Sequence, residues 1–178
     1  MFQLSKLAFM KALFIITCLF ASSLSAEEHQ FVLGEGLSIK IVESAFISSE
    51  WNISYCPNSK RVCFINGLTP MGVDGNIPET YVSKLVATVN GLSYQLDTSN
   101  MFNAWGDRPL EHPGSIKYFS GVCQYQANCT FRGIFSDAAA SFVVEWRINQ
   151  GVPERTIMTS SQDVVSLFID NIDPPVYD

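Results

Sequence analysis

The chain is short of the residues that most catalysis and most polyanion binding depend on. It has two histidines, His29 and His112, and its 11 Lys plus Arg face 17 Asp plus Glu, a formal charge of −6. Nucleic acids and anionic membrane surfaces reward clustered positive charge, so this balance argues against both as partners. Serines are plentiful, yet none sits in a Gly-x-Ser-x-Gly setting, and a hydrolase needs a nucleophile, a base and an oxyanion hole together. No segment after the first 26 residues approaches the roughly 20 apolar residues of a membrane span. Internal repeats, low-complexity tracts, linkers and a βαβ rhythm are also missing, which leaves a single domain.

What is present begins with a leader. Lys6 and Lys11, no acidic residue, the apolar run Leu13 to Phe20, and the small residues Ala21 to Ala26 ahead of Glu27-Glu28 together predict a secretory signal peptide over 1–26, cleaved after Ala26. The periplasm is the expected location, with secretion as the second choice. Bacterial lipoprotein signals place a cysteine at the end of such a run, but Ile15-Ile16-Thr17 precede Cys18 and the run continues past it. Cys18 is therefore expected to leave with the leader. Cleavage takes away Lys6 and Lys11 and leaves nine basic residues against 17 acidic ones, a balance of −8 that suits a basic partner.

Four cysteines remain in the domain over 27–178: Cys56, Cys63, Cys123 and Cys129. An even count in an oxidising compartment reads as two disulfides. Of three possible connectivities, the near-neighbour pairs Cys56 with Cys63 and Cys123 with Cys129 are favoured, because Pro57-Asn58-Ser59 turns the chain between the first two. A zinc site is the alternative. It would need thiolates in a compartment that oxidises them, with only His29 and His112 to help.

The cleanest strand is 141–148, where Phe142, Val144, Trp146 and Ile148 alternate with Ser141, Glu145 and Arg147. Two further patterns, Tyr81 to Asn90 and Gly91 to Thr98, meet at Asn90-Gly91, whose two positions suit the positive φ of a tight hairpin turn. A two-residue turn sets Val89 opposite Leu92, Ala87 opposite Tyr94 and Leu85 opposite Leu96, all six on one face. Lys84, Thr88, Ser93 and Gln95 then share the other. Strands are also expected around Phe31 to Leu33, Leu37 to Ile41, Val62 to Ile65, Ile116 to Cys123, Cys129 to Phe135 and Arg155 to Thr159. Asp97-Thr98-Ser99 suggests a cap for one helical turn over 101–105, and Ser160 with Asp163 ahead of Val164 to Ile169 suggests a helix, although the alternation there also suits a strand. The fold class is accordingly mainly all-β: an antiparallel β-sandwich or barrel-like sheet of about eight or nine strands with one short C-terminal helix and two disulfides.

The candidate partner-binding residues are Trp105, Asp107, Arg108, Glu111 and His112, in a loop over 103–114 carrying two Pro and two Gly. Trp and Arg anchor interfaces, and rigid loops on a sheet scaffold often bind; equally, Trp105 packs into the core and the charges are simply solvated. The loop from Asp74 to Glu79 offers oxygen ligands but lacks EF-hand spacing and also reads as turn chemistry. Asn52-Ile53-Ser54 and Asn128-Cys129-Thr130 are formal glycosylation acceptors that are not expected to be used. No catalytic set, metal or cofactor is implied. The expectation is an exported binding protein, foremost an inhibitor or immunity protein docking on a toxic or cell-wall-degrading enzyme. A carbohydrate-binding module using Trp51, Trp105 or Tyr125, or an envelope structural component, are the alternatives.

Overall fold

The computed structural model describes residues 26–34, 36–105, 115–125 and 128–174. Among them, ten strands make two four-stranded antiparallel sheets and one small hairpin. The first sheet orders β1 (Glu27–Gly34), β2 (Leu37–Ala45), β5 (Thr80–Val89) and β6 (Leu92–Gln95) side by side. The second is a plain meander of β7 (Phe119–Tyr125), β8 (Asn128–Phe135), β9 (Phe142–Asn149) and β10 (Val152–Thr159). Between β2 and β5 the chain leaves the first sheet to form the β3 (Ile53–Tyr55) and β4 (Val62–Ile65) hairpin.

Period-2 alternation builds the core. Leu37, Ile39 and Ile41 of β2 and Leu85, Ala87 and Val89 of β5 face Phe131 of β8 and Phe142, Val144, Trp146 and Ile148 of β9 in one buried cluster. Each fully buried Ile or Phe here contributes roughly 1.5–3 kcal/mol relative to exposure. Aromatic stacking acts both within and between the sheets: Phe131 of β8 lies on its ladder partner Trp146 of β9 at 5.2 Å, and Phe31 of β1 meets Phe119 of β7 across the sandwich at 5.0 Å. Trp146 also donates its indole N–H to the Asp97 carbonyl at 2.9 Å, so the largest core side chain buries no unmet donor.

The hairpin register is as the turn dictates. Val89 pairs with Leu92 and Ala87 with Tyr94, and the Leu96 N–H reaches the Leu85 carbonyl at 2.9 Å. Asn90 and Gly91 take φ of 48° and 83°. Leu92 departs from the expected burial: at the hairpin tip it is 61% exposed. Both predicted disulfides are formed, Cys56–Cys63 tying the turn after β3 to β4 and Cys123–Cys129 between paired positions of β7 and β8. No helix among the described residues is long and apolar enough to cross a membrane.

Four local expectations need correction. Residues 101–103 form no helical turn. The Ser99 N–H closes on Asp97 Oδ1 at 2.8 Å in an Asx turn, and the chain then runs on to bridge Met101 to Met71 and Phe102 to Tyr81. Burying Met101 and Phe102 outweighs a single helical turn, which is a costly nucleus with little return. Ser115–Tyr118 is a short 3-10 turn, so β7 starts only at Phe119. β10 starts earlier than expected, at Val152, and carries Pro153 within it. A proline is tolerated there because β10 is an edge strand that makes only one ladder. Lastly, the outer face of β9 is covered over Val143 and Glu145, and Arg147 remains exposed. α1 (Gln162–Asp170) lays Val165 and Phe168 over Val143 and Ile134, and Glu145 is buried beside that patch.

A candidate binding cleft at one end of the sandwich

The inward alternation of β2 runs Leu37, Ile39, Ile41 and then Glu43, so the apolar face ends in a carboxylate. That carboxylate stands in the wall of a cleft of about 560 Å³ at the end of the sandwich. The start of β1, the start of β5, the loop through 72–79, the segment 103–105 and the turn at 136–140 converge there. Gly72 is required for this convergence: at φ 80°, an added Cβ would lie 1.8 Å from the Phe102 carbonyl oxygen.

Glu43 is 6% exposed. The Thr80 hydroxyl donates to its Oε1, and so does the Ala104 N–H at 3.0 Å, so one carboxylate oxygen ties β2 to the start of β5 and to the segment leaving β6. Burial pushes its pKa up against these two hydrogen bonds, and the neighbouring Glu27 adds to the rise. Glu27 is the ladder partner of Glu43 and lies 2.9 Å from His29 Nε2. Asn103, at φ 40°, accepts the N–H groups of Glu79 and Thr80 on its Oδ1 at 2.9 and 3.2 Å and so pins the loop to the strand. The described lining carries the carboxylates of Glu27, Glu43, Asp74, Glu79 and Asp137 and no Lys or Arg. Arg61 sits beside it, held on Asp74 at 3.4 Å.

Of the five predicted partner-binding residues, Trp105 is the one within the described part. Its ring packs on Phe119 at 5.4 Å and Phe135 at 5.8 Å, and it lines the cleft from the core side. It is thus a half-buried wall and not a protruding anchor. Its Nε1 is buried with no acceptor among the described residues. Asp107, Arg108, Glu111 and His112 lie outside the described residues. Trp51, which the carbohydrate-binding alternative would need exposed, is packed among Phe46, Tyr81 and Phe102, with ring centroids 5.0 to 5.5 Å apart. The side chain of Tyr125 lies outside the described part. Among the described residues no three His, Cys, Asp or Glu side chains gather to hold a metal ion, and the Asp74–Glu79 loop lines the cleft through Asp74, Asn76, Ile77 and Glu79.

Sequence reasoning missed Glu43, Thr80 and Asn103. The signal for Glu43 was its register: it stands two residues beyond Ile41 on the face already assigned to the core.

A second ionic cluster lies on the outer face of the second sheet. Glu145, 1% exposed, accepts from Arg132 Nε at 2.8 Å, Arg147 Nε at 3.1 Å and Thr156 Oγ1 at 2.8 Å. Burial alone would raise its pKa, but the bonds from Arg132 and Thr156 and the charges of Arg132 and Arg147 outweigh it and hold the group below the usual carboxylate value. Arg132 also reaches the Asn171 and Asp173 carbonyls, so this cluster fastens the segment after α1. It reads as a structural clamp. Comparison with protein-family models, with curated proteins and with solved structures finds no match to this chain.

Proposed function

We propose that the protein is exported to the periplasm and acts by docking on another protein, as an inhibitor or immunity protein that blocks a basic toxic or cell-wall-degrading enzyme. The observation that carries this reading is the cleft, whose described lining has five carboxylates and no basic side chain. A surface of that sign steers and selects a cationic partner. Two disulfides fit an oxidising compartment, and the leader sequence is what would deliver the chain there.

The experiment is recovery of partners on the oxidised protein from the periplasmic and secreted fractions of the source cells, followed by an activity assay on what is recovered. A stoichiometric protein partner whose enzymatic activity falls when the protein is added at a one-to-one ratio supports the reading. Recovery of no protein, with saturable binding to a glycan array instead, would sink it in favour of a carbohydrate-binding module.

A further inference from the structure

Glu43 is a nine-tenths-buried carboxylate with no cation bound to it among the described residues. Its Oε1 takes the bonds from Thr80 and Ala104, and its Oε2 takes none among those residues. A charge removed from water to this degree is ordinarily matched by an opposite one. Here most of the surroundings have the same sign. Glu27 lies across the ladder, Glu79 and Asp137 line the same cleft, and the nearby imidazole of His29 is engaged by Glu27.

We propose that the cleft is a socket for one basic side chain of a partner protein, an ammonium or guanidinium that pairs with Glu43. This rests on the protein-docking reading and gives that reading its point of contact. A volume of about 560 Å³ lies within the range of small-ligand sites, so a long side chain enters with room for part of its own backbone. The Trp105 ring in the wall offers apolar surface for the aliphatic stem, while the carboxylates meet the charged head. The described carboxylates are spread around the cleft and do not gather on one point, an arrangement suited to an organic cation that spreads its contacts.

The test uses the oxidised protein with N-acetyl-arginine methylamide and N-acetyl-lysine methylamide, and the uncharged isostere N-acetyl-citrulline methylamide as control, followed by amide chemical shifts. Saturable shifts at Thr80 and Ala104 are expected with both cations and not with the citrulline compound. In Glu43→Gln the affinity should fall about tenfold or more, the loss of one charge-assisted contact. Glutamine keeps an oxygen for Thr80 and Ala104, and unchanged spectra elsewhere verify that the variant is folded.

Equal responses to arginine and citrulline, or a Glu43→Gln variant that binds as the native protein does, overturn the proposal. So does energetic coupling between Arg108→Ala and Glu43→Gln in a double-mutant cycle, because the occupant would then be the chain's own Arg108. If these results fail while an inhibited protein partner is still recovered, docking stands and its contact lies elsewhere. If no protein partner is recovered, the docking reading itself is lost.

Discussion

Burial pushes the pKa of both Glu43 and Glu145 up, and their net shifts are opposite because the two neutral donors at Glu43 do not offset it whereas the hydrogen bonds and the cations Arg132 and Arg147 at Glu145 do. The raised group weakens the fold at neutral pH, where it must be charged away from water. That penalty is relieved as the pH falls through its folded pKa and is gone below the ordinary value of 4.5. Glu43→Gln is therefore expected to melt at or above the native temperature at pH 7, with the advantage closing towards pH 4, measured by calorimetry at both. Glu43→Ala instead leaves the Thr80 hydroxyl and the Ala104 N–H unpaired and should cost about 1–3 kcal/mol. The depressed group behaves the other way. Its contribution is complete above 4.5 and is lost as the pH falls through the lower folded value. Glu145→Ala should cost about 3–5 kcal/mol in urea unfolding at pH 7, since it strands Arg132, which is 13% exposed, and that cost should shrink on acidification through the same window. Neither role is visible in the residue letters. Glu145 alternates with Val144 and Trp146 as an outer-face residue should, and its burial comes with partners on neighbouring strands, Arg132 of β8, itself set over the Phe168 ring of α1, and Thr156 of β10.

At the scale of elements, two glycines with nearly equal φ separate conformational cost from spatial cost. Gly91 turns the β5–β6 hairpin at 83° with nothing within 4 Å of an added Cβ, so Gly91→Ala pays conformational strain alone, about 1 kcal/mol. Gly72 at 80° faces the Phe102 carbonyl oxygen, and Gly72→Ala must shift that backbone and the cleft wall with it. Its denaturation midpoint should fall well below that of Gly91→Ala; equal losses would mean that the cleft wall yields freely. The hairpin was legible because a two-residue turn and the apolar period give the same register independently. The stretch 97–103 was not. Asp-x-Ser serves an Asx turn as well as a helix cap, and the choice rests on Met71 and Tyr81, distant in sequence, which pair with Met101 and Phe102. Likewise, Gln150-Gly151 turns the β9–β10 hairpin at φ 50° and 81°, but Val152-Pro153 also reads as part of the turn, which sets the expected start of β10 too late.

For the whole molecule, the disulfides staple local hairpins and do not join the sheets. With loops of seven and six residues, each should contribute about 2 kcal/mol by the chain-entropy account. Cys123→Ser with Cys129→Ser should accordingly lower the unfolding free energy by that amount while retaining the circular-dichroism signature of the sandwich. Loss of the sheet signal altogether would mean that the second sheet depends on its staple. The sandwich class followed from alternation and turn spacing alone. The cleft did not, because it is assembled from the ends of β1, β2 and β5 and three separate loops, and its shape exists only once both sheets are stacked.

The two sheets also differ in how far apart in sequence their neighbours lie. Every ladder of the second joins consecutive strands, whereas the β2–β5 ladder closes over residues 46–79. A chain synthesised from its N-terminus must therefore keep the Leu37, Ile39 and Ile41 edge waiting until Val89 has emerged, while β7 to β10 can zip strand by strand as they appear. The interval in which that edge stands bare is where this protein is most open to mispairing with another copy of itself, and it is longest for the sheet that carries Glu43.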